Sequence, residues 1–143
     1  MADLFYDLTI SAPKDRVFEI LATPKGMEYW WTDKSSGIPG IGEEYLLDFG
    51  PGFIWKGTVT LFDLGNAFEI QMHDSDPDWD GARIGFQLED HRSGTELRFY
   101  HRGWPSENAH FRISSYCWAM YLRIVKRLLE KGERVPFAKR LDV

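Results

Sequence analysis

The chain is poor in cysteine, in net charge and in long apolar runs, and each shortage removes a class of protein. Its 143 residues include one cysteine, Cys117, which excludes an intrachain disulfide framework and a cysteine-rich zinc site. A lone thiol suits a reducing compartment, so a cytoplasmic location is expected. Lys and Arg total 17 against 22 Asp and Glu, a formal net charge of −5. That balance speaks against nucleic acid or an anionic membrane held by charge. No window approaches the roughly 18 consecutive apolar residues of a membrane-spanning helix. The amino terminus, Met1-Ala2-Asp3-Leu4, also lacks a basic region followed by an apolar stretch, so neither membrane insertion nor secretion is expected. Gly-x-Gly-x-x-Gly, Gly-x-x-x-x-Gly-Lys, Gly-x-Ser-x-Gly and His-Glu-x-x-His are missing. With them go the signatures of nucleotide sites, serine hydrolases and zinc proteases, and no cofactor is expected.

What the chain has in excess is aromatic rings: six Trp, six Tyr and ten Phe, 15 % of all residues. A chain of this length makes one domain, taken here as residues 1–143, that buries about 70 % of its unfolded surface without staples. It does not need this many rings for a core.

Periodicity supplies the elements. Leu4 to Ile10 alternates, with Tyr6, Leu8 and Ile10 on one side and Asp7 and Thr9 on the other, which predicts a half-buried strand. Ser11 and Pro13 open a short helix carrying Val17, Phe18 and Leu21, which Pro24 and Gly26 end, and Met27 to Trp31 adds one more helical turn. Ser35 to Gly42 is a loop by its glycines and Pro39. Glu44–Phe49 and Phe53–Phe62 form a hairpin around Gly50-Pro51-Gly52, with Tyr45, Leu47 and Phe49 on one face and Phe53, Trp55, Val59 and Leu61 on the matching face. Three further strands carry Phe68, Ile70 and Met72, then Ile84, Phe86 and Leu88, then Leu97, Phe99 and His101. From Asn108 to Lys131 the period changes to three and four, ending at Gly132, which predicts a helix reaching roughly 36 Å. Six antiparallel strands with one apolar face need a cover, and only this helix is long enough. The fold class is α+β.

The order strand, short helices, meander, long terminal helix resembles the helix-grip fold of the START-like, Bet v 1-like superfamily (SRPBCC). Ser11-Ala-Pro-Lys-Asp-Arg-Val17-Phe18, Thr23-Pro24-Lys25-Gly26 and the Trp30-Trp31 pair are similar to the opening of the family named for the activator of heat shock protein 90 ATPase. Phe86-Gln-Leu-Glu89 with Gly94-Thr-Glu-Leu97, Tyr100-His101-Arg-Gly103, Trp118, Leu128-Leu129-Glu130 with Gly132, and Pro136-Phe137 follow in that family's order. The resemblance implies a curved sheet wrapped around the long helix. It brings in ligand carriers, cyclases or dehydratases, and chaperone-linked domains, so it transfers a cavity more than a chemistry.

If the sheet curls, the inner-face rings Tyr45, Phe49, Trp55, Phe86 and Phe99 face Trp30, Trp31, Trp118 and Tyr121 across a space. A filled core accounts for any single ring. As a set they are candidate walls for an apolar, ring-bearing ligand, because the polar handles of Trp and Tyr want partners that a tightly packed apolar core does not offer. His101 shares a side with Leu97 and Phe99 and is either a satisfied core histidine or a group that orients a ligand. His73, His91 and His110 sit at element ends and read as surface. Asp76-Pro-Asp78-Trp-Asp80-Gly81 matches the first half of a calcium loop, but Gln87 stands where the bidentate Glu belongs and Arg83 adds positive charge, so a solvated acidic turn and no metal is expected. Cys117 reads as an inert buried thiol, and Lys126, Arg127, Glu130 and Lys131 as the wet side of the helix.

The resulting expectation is a domain that binds a small apolar or aromatic molecule between sheet and long helix, in a cavity of several hundred Å3, oriented by His101, Tyr45 or Tyr121. An enzyme using His101 and a carboxylate in the same cavity, of cyclase, dehydratase or hydrolase type, is the alternative. A chaperone-ATPase-modulating module, suggested only by the family resemblance, comes third.

Overall fold

Alternation does set the first strand. In a computed structural model, which describes all 143 residues, β1 (Ala2–Ile10) buries Leu4 and Ile10 while Asp3, Phe5 and Asp7 face out. Pro13 introduces α1 (Lys14–Ala22), which buries Val17, Phe18, Ile20, Leu21 and Ala22. The one-turn helix α2 (Pro24–Met27) is capped by Thr23, whose Oγ1 accepts from the Gly26 amide at 3.0 Å. The extra turn expected over Met27 to Trp31 is present as hydrogen-bonded turns and not as helix.

Six further strands follow: β2 (Lys34–Ser36), β3 (Glu44–Asp48), β4 (Ile54–Asp63), β5 (Ala67–His73), β6 (Arg83–His91) and β7 (Gly94–Trp104). They join β1 in one antiparallel sheet of order β1-β7-β6-β5-β4-β3-β2. The helix-grip architecture is therefore present, with seven strands where periodicity indicates six. The additional strand, β2, has three residues and no alternation, and only its pairing with β3, Ser35 opposite Leu47, defines it.

One expected face is also corrected. The β4–β5 register shifts between Val59 and Leu61, a bulge that reverses parity along the strand. Phe62 turns inward, 5.3 Å from the Phe18 ring, while Leu61 is left 39 % exposed. Phe53, expected beside Trp55 on the inner face, precedes β4 and is 57 % exposed.

The long helix α3 (Ala109–Lys131) starts where its cap dictates, with the Asn108 side chain accepting from the Phe111 amide at 2.8 Å. It stops at Gly132, whose φ of 68° lies in the left-handed region that glycine enters without a Cβ clash. Polar ties bolt it to the sheet edge. The Tyr6 hydroxyl meets the Ser115 carbonyl at 2.8 Å, and Lys126 Nζ donates to the Thr9 carbonyl at 2.6 Å and to Glu130 at 2.8 Å. Lys126 and Glu130 thus lock helix to strand and are not simply a wet face. After the helix, a short 3-10 turn (Phe137–Asp142) inserts Arg140, which donates to the backbone carbonyls of Thr32, Glu28 and Val135. Thirty buried residues form one apolar cluster between the sheet and these helices.

Candidate functional site

Where the sheet, α1 and α2 meet, the interior is filled. Trp30, Phe68, Phe86 and Phe99 surround a void of about 10 Å3, at the lower limit for a single water. The polar handles are answered by backbone. Trp30 Nε1 donates to the Ile20 carbonyl at 2.9 Å and the Tyr45 hydroxyl to the Ala22 carbonyl at 2.8 Å. These acceptors belong to the last turn of α1, whose final carbonyls have no helical partner. The supposition that such groups would find satisfaction only in a half-wet pocket is thus corrected for these two.

The open space lies at one end of the sheet, a cleft of about 250 Å3. The first half of α3 contributes His110, Ile113, Ser114, Cys117, Trp118 and Tyr121, positions three and four apart that share one helical face. The connection between β3 and β4 contributes Phe49 and Phe53, β4 contributes Trp55, the β5–β6 loop Trp79, and the chain after α2 Trp31. The rings brace one another: Trp31 to Phe49 at 5.4 Å, Phe49 to Trp55 at 5.1 Å, Trp55 to Trp79 at 5.2 Å and Trp79 to Trp118 at 5.9 Å. Nine of the eleven lining residues are hydrophobic. Larger grooves elsewhere are edged by charge; the one between β1 and α3, about 430 Å3, has Asp7, Arg123 and Lys126 on its rim.

Of the ten residues singled out in the sequence, Trp31, Phe49, Trp55, Trp118 and Tyr121 stand around this cleft. Trp30, Tyr45, Phe86, Phe99 and His101 do not; they are packed in the core. His101 is fully buried, with Nδ1 accepting from Trp118 Nε1 at 3.0 Å. Its proton is therefore on Nε2, which has no partner. Trp79 and Trp104 pack against the ring, each at 4.7 Å. Burial, aided by the charge of His110, pushes its pKa down to about 3, so it stays neutral and sealed. Acid–base work by His101 in the cleft is excluded by this placement.

The cleft also contains residues that periodicity did not single out. His110, expected at the surface, lines it, as do Trp79 and Ser114. Cys117, expected to be buried, is half-buried in its wall, with burial raising the thiol pKa. The α3 positions were within reach, since His110, Ser114, Cys117 and Tyr121 recur on a single stripe. Trp79 had no such signal, because it sits in an acidic loop.

That loop is folded back on α3. Asp78 Oδ2 accepts from His110 Nδ1 at 2.9 Å and from Asn108 Nδ2 at 3.3 Å, while Asp76 Oδ1 accepts from the Asp78 amide at 2.8 Å. Asp80, the third acid of the calcium-like run, turns away to Ser75. Asp76, Asp78 and His110 place one donor atom each within 4.8 Å of the others, but their internal hydrogen bonds already account for the arrangement.

A curved antiparallel sheet gripping a terminal helix, with an aromatic cleft at one end, defines a START-like, Bet v 1-like protein of ligand-binding architecture. No helix is long and apolar enough to cross a membrane. Residues 11–130 match the family model described as Activator of Hsp90 ATPase homolog 1-like protein, and the chain belongs to that family. Among solved structures it is similar to the Aha1 dimer of Colwellia psychrerythraea, with 26 % identity, a TM-score of 0.84, and coverage of 93 % of this chain and 99 % of that one. An AHSA1-like protein of Rhizobium etli shares the fold at 20 % identity and a TM-score of 0.72, covering 91 % of this chain and 82 % of the other. Protein MLL2253 of Mesorhizobium loti does so at 20 % identity and a TM-score of 0.80, covering 92 % and 99 %. No curated protein matches the sequence.

Proposed function

We propose that this chain binds a small, largely apolar, ring-bearing molecule in the cleft beside α3. The supporting observation is the cleft itself, about 250 Å3 walled by mutually braced rings. That volume exceeds the roughly 150 Å3 cavity that accepts benzene and lies under the ~300 Å3 at which drug-sized sites begin. It suits one or two rings. Ten heavy atoms at about 0.5 kcal/mol each give about 5 kcal/mol, a Kd of roughly 0.2 mM. His110 and Ser114, one helical turn apart, are the two wall residues that are not hydrophobic, an arrangement that orients a ligand more readily than it transforms one. The binding reading is therefore favoured over an enzymatic one.

Native mass spectrometry of freshly purified protein, followed by a thermal-shift screen of one- and two-ring aromatics, tests the proposal. At 1 mM ligand the expected stabilisation is about 1 kcal/mol, near 3 °C for a chain of this length. Trp55→Ala, which opens the wall between Phe49 and Trp79, should reduce it. The proposal falls if nothing is retained and no such compound shifts the melting temperature.

A further inference from the structure

We infer that His110 is the polar anchor of this cleft and that its ligand presents a weakly acidic O–H or N–H donor on an aromatic ring, an inference that rests on the cleft being a binding site. His110 is the second residue of α3, and its ring is held from three directions. Asp78 takes Nδ1 at 2.9 Å, Trp79 lies nearly parallel to it at 6.5 Å, and Trp104 meets it edge-on at 5.2 Å. Asp78 is itself tied to Asn108, and Asp76 lies 3.6 Å from the same nitrogen.

A carboxylate can only accept, so Nδ1 must donate, and the neutral ring then presents a lone pair at Nε2. Nε2 is the remaining polar atom of a side chain that lines the cleft. The other ionisable groups of the cleft wall, the Cys117 thiol and the Tyr121 hydroxyl, have pKa values raised by burial. An aromatic hydroxyl or ring N–H satisfies Nε2 while its ring covers the apolar walls. An ether or carbonyl would set oxygen lone pairs against the nitrogen lone pair. Asp76 and Asp78 behind the ring add negative charge, which disfavours a carboxylate or phosphate ligand.

Three matched probes decide this: 2-naphthol, 2-methoxynaphthalene and naphthalene, titrated into the whole chain at pH 8. The expected result is that 2-naphthol binds about fivefold tighter than the other two. His110→Phe keeps a ring against Trp79 and Trp104 but has no acceptor, so the naphthol-to-naphthalene ratio should fall to about one. Equal binding of the three probes, or a ratio unchanged in His110→Phe, overturns the anchor and leaves the cleft as a binding site. Binding of none of them overturns both.

Discussion

Lowering the pH from 7 to 5 should cost this protein about 2 kcal/mol through His101 alone. Buried against Trp79, Trp104 and Trp118, its imidazole is held neutral down to about pH 3, whereas in the unfolded chain it titrates near 6.5. A base with a depressed native pKa leaves the unfolded state binding the extra proton, so stability is complete above pH 6.5 and is lost as pH falls toward 3. At pH 5 the unfolded form is favoured by a factor of about 30, which is about 2 kcal/mol, or roughly 1 M in urea midpoint. At pH 5 carboxylates have only begun to titrate in the unfolded chain, so Glu69 and Glu130, whose native pKa values lie below the ordinary one, add little to the loss in this window. The assay is urea unfolding at pH 7 and pH 5 for the parent and for His101→Gln, whose amide oxygen can still accept from Trp118 without titrating. The variant should start less stable and lose about 2 kcal/mol less between the two pH values. Equal losses in parent and variant would refute a neutral, sealed His101.

Gly94→Ala should destabilise the fold by at least about 3 kcal/mol in urea unfolding, because a Cβ there would lie 2.2 Å from the Ile10 carbonyl oxygen and φ is 140°; a loss under 1 kcal/mol would show that β1 and β7 can part freely at that end. Cys117 should react with iodoacetamide at pH 7.5 at least about fivefold more slowly than a free thiol, since burial raises its pKa, and 2-naphthol should slow it further. Labelling at the free-thiol rate, with or without ligand, would remove Cys117 from the cleft wall.

Much of the architecture was legible in residue order. Alternation marked every strand except β2, and the three–four spacing from Asn108, ended by Gly132, bounded α3 to within a residue. These are local rules, satisfied by backbone geometry and the side on which a chain buries its apolar groups. The family motifs could be recognised for the same reason, being short runs at fixed order.

Which rings are wall and which are core was decided only by the folded chain. Trp30 and Trp31 are neighbours, yet one gives its N–H to the end of α1 and the other borders the cleft. Of the two readings open for His101 the chain takes the core one, sealed by three tryptophans, whereas His110, expected at the surface, lines the cleft beside Asp78. Periodicity reports the face a side chain takes, whereas its depth, its partners and its protonation depend on groups brought near from distant parts of the chain.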